Sequence, residues 1–131
     1  MDTFLGRYSS YAYAIFRIVF GFMFMLHGTQ KIFGLPSLTQ TPAGMENAAG
    51  FIELICGALI MVGFFAGSAA FLASGTMAVA YFAAHQSNGI LPRTNGGELA
   101  VAYCFAFLYI ASRGSGLWSI DSVVRSSKVT P

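Results

Sequence analysis

Charge is what this sequence has least of. Of its 131 residues only 9% are Asp, Glu, Lys or Arg, against about 25% in an ordinary soluble domain. Seven basic and five acidic side chains cannot cover the surface of a soluble protein of this length. An apolar fraction of 56% excludes a disordered chain. The net charge of +2 comes without any Lys/Arg cluster, which excludes nucleic acid, since that partner demands several phosphates neutralised together. Cysteine is scarce as well. Cys56 and Cys104 form no C-x-x-C pattern, so neither a disulfide scaffold nor a cysteine metal site is expected. The length allows a single domain, residues 1–131.

What the chain does have is long apolar runs. No Asp, Glu, Lys or Arg occurs across the 39 residues from Leu54 to Pro92. A bilayer core takes roughly 20 residues of helix, so this run is two spans. Gly63 and Gly67 mark the joint between them, read as a tight turn rather than as a GxxxG packing motif. Flanking apolar segments supply two more. The expectation is an all-α membrane protein, an antiparallel bundle of four transmembrane helices at about 11–33, 47–65, 67–86 and 96–113. Arg7 and the apolar core after Arg17 resemble a signal peptide, but no small-x-small site follows at the right distance, so the segment is read as a retained helix. Arg7, Arg113, Arg125 and Lys128 lie on the side of both termini, against Lys31 and Arg93 on the other. The basic excess places the termini in the cytoplasm and the linkers 34–46 and 87–97 outside.

Each helix carries one stripe of small and polar residues at helical spacing. On the first it is Arg17, Gly21, Phe24, Gly28 and Lys31. On the second it is Glu46, Gly50, Glu53 and Gly57. The third offers Ser74, Ala78, Tyr81 and His85, and the fourth Glu98, Ala102, Phe105 and Tyr109. At about 1.5 Å per residue, His27, Lys31, Glu53, His85 and Glu98 all fall in the outward half. Three readings of that cluster stand side by side: a structural polar group that fixes helix register, a ligand or proton-handling pocket, and a haem or metal site on paired histidines. His85 lies nearer the surface than His27, so no metal is expected. Asn95 is expected to cap the fourth helix ahead of Glu98. Lys31 is expected to pair with Glu53 or Glu98, with His85 alongside, closing a pocket that reaches toward His27. Catalytic residues are not identifiable. Arg17 is expected inside the bundle, paired with Asp121 or Glu53. Cys56 and Cys104 read as small hydrophobes, and Trp118 and Tyr109 as an interfacial belt.

These residues resemble the DoxX family of small four-helix membrane proteins. The resemblance rests on Arg17-x3-Gly21, His27-Gly28-x2-Lys31, Glu53-x3-Gly57 with Gly63, and Ala80 with His85. It continues through Asn95-Gly96-Gly97-Glu98 and Gly114-Ser115-Gly116-Leu117-Trp118-Ser119-Ile120-Asp121. It implies a bacterial inner-membrane protein linked to quinol oxidase, thiosulfate:quinone or thiol-stress assemblies. The paired cysteines of quinone-coupled thiol oxidoreductases are lacking here. Three functions follow as expectations: an accessory or assembly subunit of an oxidoreductase-type complex; a subunit binding quinone or a small sulfur compound at His27, Lys31, Glu53, His85, Asn95 and Glu98; or a small transporter. Quinone is the cofactor to test, and the partners are the lipid bilayer with other membrane subunits or further copies of the chain.

Overall fold

The computed structural model describes residues 3–35 and 45–129. Most of the 34–46 linker, with Pro36 and Pro42, lies outside these residues, as does the side chain of Glu46. The fold is helical, and no strand occurs among the described residues. After a 3-10 turn at Gly6–Tyr8 comes α1, Ser9–Phe33, then α2, Met45–Val62. Next is α3, Ala66–Ala80, prolonged by a π turn, Tyr81–His85, and a 3-10 turn, Gln86–Asn88. A single turn, α4, Pro92–Asn95, leads into α5, Glu98–Arg113. The four long helices fall where the apolar runs put them. The tail after Gly114, read as polar, also forms a helix, α6, Ile120–Val129.

Among the described residues two helical stretches are long and apolar enough to cross a membrane: Gly6–Phe33, with 28 residues, and Ala66–Asn88, with 23; Asn47–Val62 is apolar but shorter. The outward surface is greasy. Phe71 is 70% exposed, Phe82 63% and Phe105 65%, which suits hydrocarbon rather than water as the surrounding solvent.

The expected joint falls in place. Gly63 takes a left-handed conformation, φ 71°, and Phe65 another, φ 47°, so the chain reverses in three residues between α2 and α3. The core beneath is Phe24, Cys56, Ile60, Ala70, Ala73, Phe107 and Ile110, drawn from α1, α2, α3 and α5.

The interfaces differ in kind. Between α1 and α2 the contact is backbone on backbone. A Cβ on Gly21 would lie 2.5 Å from the Met61 nitrogen, one on Gly28 2.7 Å from the Gly50 oxygen, and one on Gly57 2.7 Å from the Met25 Cα. Small residues allow this approach in a membrane, where van der Waals packing drives association. Between α1 and α5 the contact is made by rings. Phe24 meets Phe107 at 4.6 Å between centroids, and Tyr103 packs on Phe20 and Phe24 at 5.8 and 5.5 Å. The α3–α5 contact includes a hydrogen bond from Ser74 Oγ to the Cys104 carbonyl, 2.8 Å.

The stripes of α1 and α2 are buried as expected: Arg17, Gly21, Phe24, Gly28, Gly50, Glu53 and Gly57. The α5 stripe is not. The structure buries Ala100, Tyr103, Phe107 and Ile110, and leaves Glu98, Ala102, Phe105 and Tyr109 exposed. The expected face was anchored on the charge of Glu98. The observed face starts two residues later, a rotation of roughly 200°, because the aromatic area of Tyr103 and Phe107 outweighs one carboxylate that the helix end leaves in solvent.

Candidate functional site

Two polar centres form, one at each end of the bundle. The first is built on Arg17, whose residue surface is fully buried. Nη1 donates to the carbonyls of Ile60, 2.7 Å, and Met61, 2.8 Å; Nη2 donates to those of Leu117, 2.9 Å, and Trp118, 2.8 Å. Ile60 and Met61 lie in the last turn of α2, whose carbonyls lack intrahelical partners and carry the negative end of the helix dipole. The guanidinium therefore caps α2 and binds the 114–119 loop to it. Gly63 must be glycine here, since a Cβ would strike Ser119 and come within 2.8 Å of Arg17 Nη1.

This corrects the expected Arg17–Asp121 ion pair. The ion pair formed among the described residues is elsewhere. Asp121 Oδ2 accepts instead from the backbone N–H of Phe65, 2.9 Å, and from Ser115 Oγ, 2.6 Å. Its carboxylate thus secures the start of α3, where free N–H groups and the positive dipole end favour an anion. The loop between is shaped for the purpose: Gly114 and Gly116 have φ 77° and 66°. Ser119 Oγ accepts from the Ser122 N–H at 3.1 Å, capping α6.

The second centre is built on Glu53, which is 2% exposed. Its Oε1 accepts from Lys31 Nζ at 2.7 Å, joining the last turn of α1 to α2. Its Oε2 is buried without a partner, and so is the hydroxyl of Tyr103 on α5. His27 completes the group, its ring edge-on to Tyr103 at 5.6 Å. His27 Nδ1–H donates to the Met23 carbonyl at 2.9 Å. Buried polar groups normally find partners. These two, on α2 and α5, have none among the described residues.

The other expected site residues divide differently. Asn95 is buried and its amide is fully used: Nδ2 donates to Tyr81 Oη, 3.0 Å, and the Gly89 carbonyl, 2.9 Å, while Oδ1 accepts from Gly97 N–H, 2.8 Å. Asn95 folds the α4–α5 turn with both its amide nitrogen and its amide oxygen. It does not cap the first turn of α5, whose N-cap is Gly97. His85 belongs to the same group, 6.5 Å from the Tyr81 ring. Glu98 is exposed at the start of α5. Among the described residues no hydrogen bond, ion pair or ring contact joins His85 or Glu98 to Glu53. The expected polar cap thus resolves into Lys31–Glu53 and a separate Tyr81–Asn95 turn.

Tyr103 is the site residue that the sequence reading passed over. A signal existed: Ala100, Tyr103, Phe107 and Ile110 share one helical face, and a tyrosine on the apolar face of a span carries a hydroxyl into the core. The cysteines are free. Cys56 is buried one turn from Glu53, and Cys104 Sγ lies 3.5 Å from Ser74 Oγ.

A family profile for DoxX matches residues 12–86. An uncharacterized protein of Haemophilus influenzae is 39% identical over 126 residues, covering 90% of this chain and 94% of the relative. No solved structure matches.

Proposed function

The chain belongs to the DoxX family, and from that premise we propose that it is an accessory subunit of an oxidoreductase-type complex in the bacterial inner membrane, holding a quinone-like ligand at Glu53 and Tyr103. One observation carries the reading: the buried, unpartnered Glu53 Oε2 and Tyr103 hydroxyl. A quinone supplies a reversible two-electron, two-proton couple. Its carbonyl oxygens call for donors such as the Tyr103 hydroxyl, and its reduced hydroxyls call for an acceptor such as Glu53. Lys31 holds the carboxylate in place, and the rings of Phe20 and Phe24 on Tyr103 offer apolar walls. Both cysteines are single free thiols on different helices, so electrons are assigned to a partner protein; this favours a subunit over a self-contained enzyme.

In this reading α1, α2, α3 with its prolongation, and α5 are the four spans. Their antiparallel course is supported by the register of α1 on α2: Gly21 meets Gly57 and Met61, while Gly28 meets Gly50 and Leu54. Cytoplasmic termini are supported by the Lys/Arg excess on that side.

The test is purification in mild detergent, with extraction and quantification of bound quinone and identification of co-purifying subunits. The parent should retain quinone and a redox partner. Glu53→Gln and Tyr103→Phe should each lose most of the quinone, and Tyr103→Phe should do so while its ligand-free form melts like the ligand-free parent. A parent that carries no partner, and binds no added soluble quinone, would overturn the proposal.

A further inference from the structure

At the Arg17 end, away from Glu53, a cavity of about 410 Å³ opens between the start of α3, the end of α5 and α6. Its wall includes Arg113 from α5 and Arg125 from α6, with Gly67 and Ser68 from the first turn of α3 and Ser122 from α6. We infer that this cavity receives the phosphate group of an anionic headgroup at the membrane surface.

The chemistry of the wall is that of an oxyanion site. Two guanidiniums from separate elements provide the charge and the planar donors that suit phosphate. Arg113 is positioned by the rings beneath it, its guanidinium 4.8 Å from the Tyr13 centroid and 5.9 Å from Tyr109. Ser68 adds a hydroxyl donor, while the Ser122 hydroxyl donates to the Ser119 carbonyl at 2.7 Å. The first turn of α3 has N–H groups with no partner inside the helix. Asp121 also lines the cavity, but its Oδ2 is committed to Phe65 N–H and Ser115 Oγ. Two arginines against one such carboxylate leave the cavity positive.

The position favours a lipid as the source. On α6, Ile120, Val123 and Val124 share one face and are 44%, 67% and 42% exposed. Ser122 and Arg125 lie on the opposite side, toward the cavity. Such a helix rests in the interface with its apolar face in the acyl boundary. Leu117 and Trp118, 40% and 58% exposed, extend the apolar surface beside it. The cavity then opens at headgroup depth. None of this depends on a ligand at Glu53.

The sequence holds a single tryptophan, Trp118, three residues from Asp121. Its fluorescence provides the readout for the intact chain in detergent, titrated with dihexanoyl-phosphatidylglycerol, dihexanoyl-phosphatidylcholine or inorganic phosphate. The expected result is a saturable change with the anionic lipid, weakened at least fivefold by Arg125→Gln. That side chain is exposed, so the fold is preserved; Arg113→Lys, which keeps the charge but loses the fork, gives the second variant. A response to inorganic phosphate that equals the lipid response, with the same dependence on Arg125, would support a phosphate site but assign it to the free anion. Equal response to both lipids, or both variants titrating like the parent, would overturn the inference.

Discussion

The two polar ends of the bundle meet the same physical problem in opposite ways. A charge inside a membrane protein is costly unless it is paired. At one end Arg17 spends four N–H donors on four carbonyls, and the charge becomes the staple that closes the fold; only its Nε is unpartnered. At the other end Glu53 is half paired, and Tyr103 beside it is not paired at all. A charge that is completed by backbone leaves no room for another partner. A charge completed by half invites one. The structural end and the candidate ligand end are thus told apart by their hydrogen bonds rather than by their charge.

The comparison breaks first at Arg17. Arg17→Leu removes the guanidinium donor from the carbonyls of Met61, Leu117 and Trp118 and leaves that of Ile60 with the Gly63 N–H alone, and should lower stability by about 3–5 kcal/mol. Denaturant unfolding in detergent micelles measures this, and an unchanged midpoint would deny the staple. Next comes the α1–α2 seam at the Glu53 end. Gly28→Ala drives a methyl into the Leu54 backbone, with an expected loss of about 1–3 kcal/mol in the same denaturant unfolding.

Asp121→Ala removes the anion from the start of α3 and should reduce stability by about 1 kcal/mol. Thermal unfolding of the two proteins side by side decides it. Smallest of all is Tyr103→Phe. A buried tyrosine hydroxyl normally has a partner whose loss is felt. This one has none, so ligand-free protein should be unchanged within about 0.5 kcal/mol or become more stable. A clear destabilisation would mean that the hydroxyl is bonded after all and that the two ends are built alike.

The helices and the two glycine-bearing stripes were legible because apolar runs and periodic glycines write themselves directly into sequence. The Lys31–Glu53 pair was legible as one of two options, since only those charges lie at the right depth on α1, α2 and α5. The partners of Arg17 were not. Backbone carbonyls belong to every residue, so no side chain at positions 60, 61, 117 or 118 announces them. Asp121 looked like the natural counter-ion, yet a helix start competed for it and won. The face of α5 was misjudged because one charged residue at a helix end was weighted above the aromatic surface further in. Asn95 was singled out as special, and the structure shows it building its turn, with Gly96 at φ 75°, through both ends of its amide.

The glycine seam also bears on how the bundle can move. Where Gly21, Gly28 and Gly57 put backbone against backbone, no side chain stands between the helices to change rotamer. The α1–α2 pair therefore behaves as one rigid rod with no slack of its own. Between α1 and α5 the gap is bridged by Phe20, Phe24, Tyr103 and Phe107, and a ring that swings aside makes space without any helix shifting. On the ring-packed side, rotation of side chains alone can open space beside Tyr103, whereas the glycine seam offers none.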